Sequence, residues 1–417
     1  MSAPLPPTPI SARRADLDWL RVALFAGLIF YHEGLLYEPG RRVVSVLLLA
    51  THPWRMSLLF LISGAATRFM ADRASTLKLT ADRSVRLLLP LVFAAVVLVP
   101  IQAYFALVEG AAYTGGYVDF LKDYFADPTA RPIPGQLPVY GHLWFVFYLW
   151  AYTMALSAGL ALKPGWFRRG QALLERLGGM NLLIWPYAVL CVLRLTAYPA
   201  FGMTLTFFDD WYNHLVSAGM FVLGFLAARS PVFWSQVAKV RWAALVLALA
   251  GFALYSAFGL QYAAQPEIAE PAHPGMGVFY EMERWGAVVA VLGFGYRHLA
   301  RAPASPGYLN GGVFTWYIVH EPVMLAAWHW LKRLRLNDGL EAGLVAVITL
   351  SICLLAYEAA RRVGWLGVAL GQRRLEWGRL GWARPEWARL GWRRGRRPAA
   401  QSRPGGAEPE PSAASAS

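Results

Sequence analysis

Long apolar runs broken by short charged or Gly/Pro-rich stretches dominate the chain, and ten of them approach the roughly 20 residues that a membrane-crossing helix needs. They fall at about 17–37, 46–70, 86–108, 140–162, 180–200, 211–228, 241–262, 278–297, 311–331 and 340–360. The pattern predicts an all-α integral membrane protein built as a bundle of about ten transmembrane helices. Residues 1–15 read as a disordered Pro-rich leader, 16–362 as the membrane domain, and 363–417 as a tail that is first Arg/Trp-rich and then Pro/Ala/Ser-rich. The leader resembles a cytoplasmic segment more than a signal peptide. The apolar run behind it is long, contains Asp18 and Arg21, and has no convincing cleavage site.

Composition supports this. Of 417 residues, 57% are hydrophobic and 15% charged, whereas a soluble chain carries about 25% charge. Too little polar surface remains to coat a water-soluble globule, and disordered or fibrous chains are excluded as well. The two cysteines, Cys191 and Cys353, lie deep in apolar runs, so neither a disulfide framework nor a zinc site is expected.

Charge sets the orientation, because cytoplasmic loops retain Lys and Arg. The loops after the second, fourth, sixth and eighth segments hold fourteen cations against three acids, while the opposite loops hold eight cations and twelve acids. Both termini are therefore expected in the cytoplasm. The tail adds twelve Arg against four Glu over 361–417 and contains a near-repeat, EWGRLGWARP followed by EWARLGWRRG, at 376–395. Trp and Arg together suit the anionic inner leaflet of the bilayer. No nucleic-acid partner is expected, since no binding motif accompanies the charge.

Ionisable groups at bilayer depth are costly and therefore candidates for function. In the first segment Asp18, Arg21 and His32 share one helical stripe, with Arg21 and His32 about 16 Å apart along the axis. Glu33 points about 100° away from His32. His52-Pro53-Trp54-Arg55 opens the second segment, and Ser63-Gly64 lies inside it. Arg83 and Arg86, at i and i+3, precede the third segment and share a helix face suited to phosphate oxygens or to anchoring at the inner surface. His142 opens the fourth segment, and Tyr317, His320 and Glu321 lie together in the ninth. No HExxH pair, Walker motif or dinucleotide glycine motif is present, so no metal is expected.

Taken in order, Arg21 at the end of DLDWLR and His32 after ten intervening residues, FLISG at 60–64, Arg83 and Arg86 ahead of LLLP, HLWF at 142–145 and YIVHEP at 317–322 resemble the family-3 membrane acyltransferases. DLDWLR, HPWR and FLISGAATRF look most like the branch that contains glucans biosynthesis protein C. The resemblance covers about residues 14–360. It implies an integral-membrane O-acyltransferase that takes an acetyl or succinyl group from cytoplasmic acyl-CoA. The acceptor would be a hydroxyl of an extracytoplasmic carbohydrate such as a cell-envelope glucan, in a bacterial inner membrane.

Acyl-CoA is then a co-substrate, with no bound cofactor. Arg83 and Arg86 would grip CoA phosphates, Arg21 would meet donor charge deeper in, and Ser63 would donate to the thioester carbonyl. His32 would be general base or transient acyl carrier. Its partner would come from another helix, with His320 and Glu321 as candidates, while Asp18, Glu33, His142 and Tyr317 would support the site or its acceptor. The loop at about 109–139, with Tyr104, Tyr113, Tyr117, Tyr124, Asp119, Asp123 and Asp127, suits either sugar contact or a structural cover. The alternative function is a proton-coupled secondary transporter. Many transporters are built from repeated halves, and no such repeat is visible here.

Overall fold

The computed structural model describes residues 14–37, 46, 48–126, 140–263, 274–300 and 306–372, which fall in a unit spanning Met1–Arg374. The near-repeat at 376–395 and most of the leader lie outside the described residues. Among the described residues every regular element is helical. The chain runs through α1 (Ala15–Tyr37), α2 (His52–Ala71), α3 (Thr76–Val97), α4 (Val99–Glu109) and α5 (Tyr117–Ala126). A 3-10 turn (Gly141–Leu143) leads into α6 (Trp144–Leu162), followed by α7 (Pro164–Arg176), α8 (Asn181–Phe201) and α9 (Trp211–Ala227). The long pair α10 (Pro231–Ala263) and α11 (Pro274–Leu299) comes next, then α12 (Gly307–Lys332), α13 (Asp338–Arg362) and the short α14 (Gly364–Ala369).

Each apolar segment predicted from sequence falls on a helix, the third on the pair α3–α4. That pair bends by 40° at Leu98. Pro100 is the second residue of α4, a position where the missing N–H breaks no helical hydrogen bond, so the chain restarts a helix there without a loop. By length and apolarity, five helical segments among the described residues qualify as membrane spans (α1, Gly141–Leu162, α8, Pro231–Gly259 and α13), or six if α3–α4 counts as one. α9 is apolar but only 17 residues long.

α2, α11 and α12 fall outside that set because they carry the polar groups of the interior. Eleven of the 20 residues of α2 are buried, Arg55, Ser57 and Thr67 among them. α11 buries Glu281, Glu283 and Arg284, and α12 buries Thr315, His320 and His329. Helices packed inside a bundle tolerate such residues where protein partners replace water. The apolar helices α10 and α13 instead leave Val246, Leu249, Val347 and Leu355 exposed, as lipid contact requires.

α2 and α9 cross almost backbone to backbone. A Cβ on Gly64 would strike the carbonyl oxygen of Phe221, and a Cβ on Gly224 would strike that of Leu61. Gly64 of the FLISG segment is thus explained by close helix approach.

Long-range contacts join like ends of the helices. Arg14, just ahead of α1, lies over Trp234 near the start of α10 and Tyr296 near the end of α11. Asp72, after α2, accepts from Arg229, after α9, at 2.8 Å. At the other end Glu109 of α4 meets His329 and Lys332 of α12 at 2.6 and 2.7 Å. Residues at the start of the predicted tail fold back: Thr315 donates to the carbonyl of Leu370, and Gln372 donates to Gly311 and Thr315.

Candidate active site

α1 packs against α2, α11, α12 and α13, so its polar stripe faces protein. Near its C-terminal end His32 meets α12. Nδ1 of His32 lies 3.6 Å from Glu321 Oε2, and Nδ1 of His142 lies 3.6 Å from the same oxygen. Gln102, one turn past the α3–α4 bend, links the set. Its Nε2 donates to Glu321 Oε1 at 2.7 Å, and its Oε1 is 2.8 Å from His142 Nδ1.

His142 Nε2 faces the carbonyls of Tyr317 and Ile318 at 3.2 and 3.3 Å, and Tyr317 OH donates to the His142 carbonyl at 2.5 Å. This clamp ties the 3-10 turn to α12. The backbone carbonyls it uses are partly those released by Pro322, whose missing N–H leaves Ile318 without its helical donor.

Hydrogen-bond accounting constrains the protons. Nε2 of His142 faces two carbonyls and must be a donor. If Glu321 is ionised, Gln102 donates to it and His142 Nδ1 donates to Gln102, so His142 is an imidazolium. Reversing the Gln102 amide gives the other arrangement that satisfies these contacts, with a protonated Glu321 donating to Gln102 and a neutral His142 accepting from it. The two differ by one proton carried between Glu321 and His142.

His320, fully buried, places Nδ1 2.9 Å from the Tyr317 carbonyl and 3.2 Å from that of Trp316. Its Nε2 has no partner among the described residues and so presents a lone pair. Its ring lies 5.3 Å from the rings of both His32 and His142. The side chain of His32 is 22% exposed against 1% for His142, so His32 is the histidine a substrate can reach. Ligand atoms of His32, His320 and Glu321 fall within 4.8 Å of one another. This grouping also suits a cation, and no sequence motif announced it because its members come from two helices.

Toward the N-terminal end of α1 a second cluster assembles. Arg21, Arg83 and Arg86 are close enough to interact electrostatically, with Asp18 near Arg21. Asp18 accepts from Asn310 at 2.9 Å. Buried Arg83 donates through Nη2 to Thr67 Oγ1 at 2.6 Å, and that hydroxyl donates to the carbonyl of Ser63 at 2.8 Å. Ser63 thus joins this end through its backbone. Glu33 is buried and turns toward Ala346 of α13, apart from the histidines. Tyr104, Tyr113, Tyr117 and Tyr124 pack around Phe120 as a small core of their own, using their faces on one another.

Sequence inspection passed over Gln102, although it stands alone in an apolar run. It also passed over Arg194 of α8 and the Glu281–Arg284 ion pair of α11, closed at 2.9 Å.

A bundle of apolar helices holding His, Glu and Arg in its interior has the makings of a membrane-embedded enzyme. Comparison with family models identifies the family: residues 14–358 match the acyltransferase domain of the acyltransferase-3 family, and the chain belongs to that family. It is a multi-pass membrane acyltransferase. No curated protein and no solved structure matches the chain.

Proposed function

We propose that the protein moves an acyl group, acetyl or succinyl, from cytoplasmic acyl-CoA to a hydroxyl of an extracytoplasmic carbohydrate such as an envelope glucan, in a bacterial inner membrane with both termini inside. The observation that carries this proposal is the division of α1: an arginine cluster around Arg21, and His32 against Glu321 eleven residues away, about 16 Å along the helix. The first suits the phosphates and pantetheine arm of CoA, and the second suits proton transfer at an acceptor hydroxyl.

With Nδ1 of His32 turned to Glu321, Nε2 is left as the base. It removes the proton of the acceptor hydroxyl as the oxygen attacks the thioester carbonyl. Collapse of the tetrahedral adduct breaks the C–S bond, and the imidazolium returns the proton to the CoA thiolate. Glu321 holds the ring and balances its transient charge, while Gln102 and His142 fix Glu321. The Arg/Trp tail rests on the anionic inner leaflet.

The test is incubation of purified protein with labelled acetyl-CoA and succinyl-CoA plus native envelope glycans. Release of CoA with label on glycan is expected. Solute uptake without acyl transfer would instead favour a transporter. Cysteine labelling of the 163–179 segment, which contains α7, from outside the cell would reverse donor and acceptor sides.

A further inference from the structure

Two acceptor atoms beside His32 go unanswered. Nε2 of His320 and Oε2 of Glu321 have no hydrogen-bond partner among the described residues, and His320 is fully buried. The neighbours of Oε2 are Nδ1 of His32 and Nδ1 of His142, each at 3.6 Å, beyond hydrogen-bond length. Leaving buried lone pairs without a donor is unfavourable. Ligand atoms of His32, His320 and Glu321 fall within 4.8 Å of one another, so one electron-pair acceptor among them would satisfy all three.

The surroundings hold these side chains as metal ligands are held. Nδ1 of His320 lies 2.9 Å from the Tyr317 carbonyl and so carries the ring proton, which fixes the lone pair on Nε2. Oε1 of Glu321 accepts from Gln102 Nε2 at 2.7 Å, which leaves Oε2 free. A carbonyl behind an imidazole and a donor behind a carboxylate are the supports that ligands to a metal commonly take. His142 is a support rather than a ligand, because its nitrogens are turned to Gln102 and to the carbonyls of Tyr317 and Ile318.

Two imidazoles and one carboxylate suit Zn²⁺ better than Mg²⁺ or Ca²⁺. Ligand atoms about 2.0–2.2 Å from a tetrahedral Zn²⁺ stand about 3.3 Å apart. The pair formed by His32 and Glu321 is already close to that at 3.6 Å, and side-chain rotation brings in His320. His32 and Glu321 are 22% and 17% exposed, which gives an ion its way in and leaves a fourth position for water. Arg55 interacts electrostatically with His32 and opposes a cation there, so the ion is held reversibly.

We propose that His32, His320 and Glu321 form a binding site for a divalent transition-metal ion, best matched by Zn²⁺, and that its occupation switches acyl transfer off. The inhibition rests on the function proposed above, whereas the binding does not. A neutral imidazole carries one proton. In the reaction that proton sits on Nδ1 of His32, and Nε2 takes the proton of the acceptor hydroxyl. With an ion on Nδ1, the ring proton must sit on Nε2, and His32 has no lone pair left for the hydroxyl.

The test is titration calorimetry of Zn²⁺ into the full-length protein in detergent, purified without a histidine tag and stripped with chelator. Saturable binding is expected for Zn²⁺ and not for Mg²⁺. His320→Ala should weaken it about tenfold or more, since even supporting residues behind a metal ligand are worth that much. Should His320→Ala not fold, Glu321→Gln keeps the shape and should weaken binding likewise. In wild-type protein, Zn²⁺ should inhibit label transfer from acyl-CoA over the concentration range in which it binds, and chelator should restore it. Absence of saturable binding, or binding that both variants retain, overturns the site. Binding that leaves transfer unchanged overturns the switch. A protein that binds Zn²⁺ yet shows no acyl transfer in chelator would contradict the reaction assignment and leave the metal site standing.

Discussion

The two ends of α1 handle charge in opposite ways. Around Arg21 the cations lie beside one another, and the nearby ion pairs are open to the surface. Arg68, Asp72 and Arg229 form a bridge whose side chains are 22% to 29% exposed. Around His32 the polar groups are few and joined to each other through Gln102, His142 and backbone carbonyls, with His142 and His320 buried behind the more open His32. Arginines set side by side repel one another, and the phosphates of an incoming ligand relieve that repulsion. A network of linked hydrogen bonds holds one geometry and shifts protons within it. On the function proposed above, the difference suits substrate capture at one end and chemistry at the other.

Three variants probe that division, from the largest expected effect to the smallest. Glu321→Gln preserves shape but removes the charge opposite His32. Turnover should fall by about a hundredfold or more, with KM for acyl-CoA little changed and no dependence on added chelator. Restoration of activity by a divalent ion, or its loss on chelation in the wild type, would instead make His32, His320 and Glu321 a catalytic metal centre.

Replacing Arg83 and Arg86 together with Ala should raise KM for acyl-CoA about tenfold or more, the range of one or two charge-assisted hydrogen bonds, with a smaller change in kcat. An unchanged donor dependence would remove the arginines from the donor site. Asp72→Asn cuts the exposed bridge, and thermal unfolding in detergent should register less than about 1 kcal/mol. A larger loss would mean that this end, too, depends on a fixed network.

Much of the fold was legible in the sequence because it depends on local properties. Long apolar runs became helices and Gly64 allowed a close crossing, whereas the α3–α4 break ahead of Pro100 was read through as one segment. Part of the candidate site was legible as well: Arg21, His32, Arg83 and Arg86 stand out as costly charges in or beside apolar segments. What could not be read was which groups meet. The contact between His32 and Glu321 depends on the crossing of α1 with α12, and Glu33, adjacent in sequence to His32, turns the other way toward α13. Gln102 drew no attention because a single amide in an apolar run has no motif, although its hydrogen bonds to Glu321 and His142 make it the connector. The tyrosines of the 104–124 region suited a sugar platform or a structural cover equally well, and Tyr104, Tyr113, Tyr117 and Tyr124 pack around Phe120.

The central claim is that His32 moves the proton when an acyl group leaves CoA for a carbohydrate hydroxyl. Its most direct test is label transfer from acyl-CoA to envelope glycan by purified wild-type and His32→Ala protein, compared at saturating donor. The account predicts a fall of about 10²- to 10⁴-fold in the variant, the range expected for loss of a positioned general base, with acyl-CoA binding retained. Undiminished transfer by His32→Ala would contradict it.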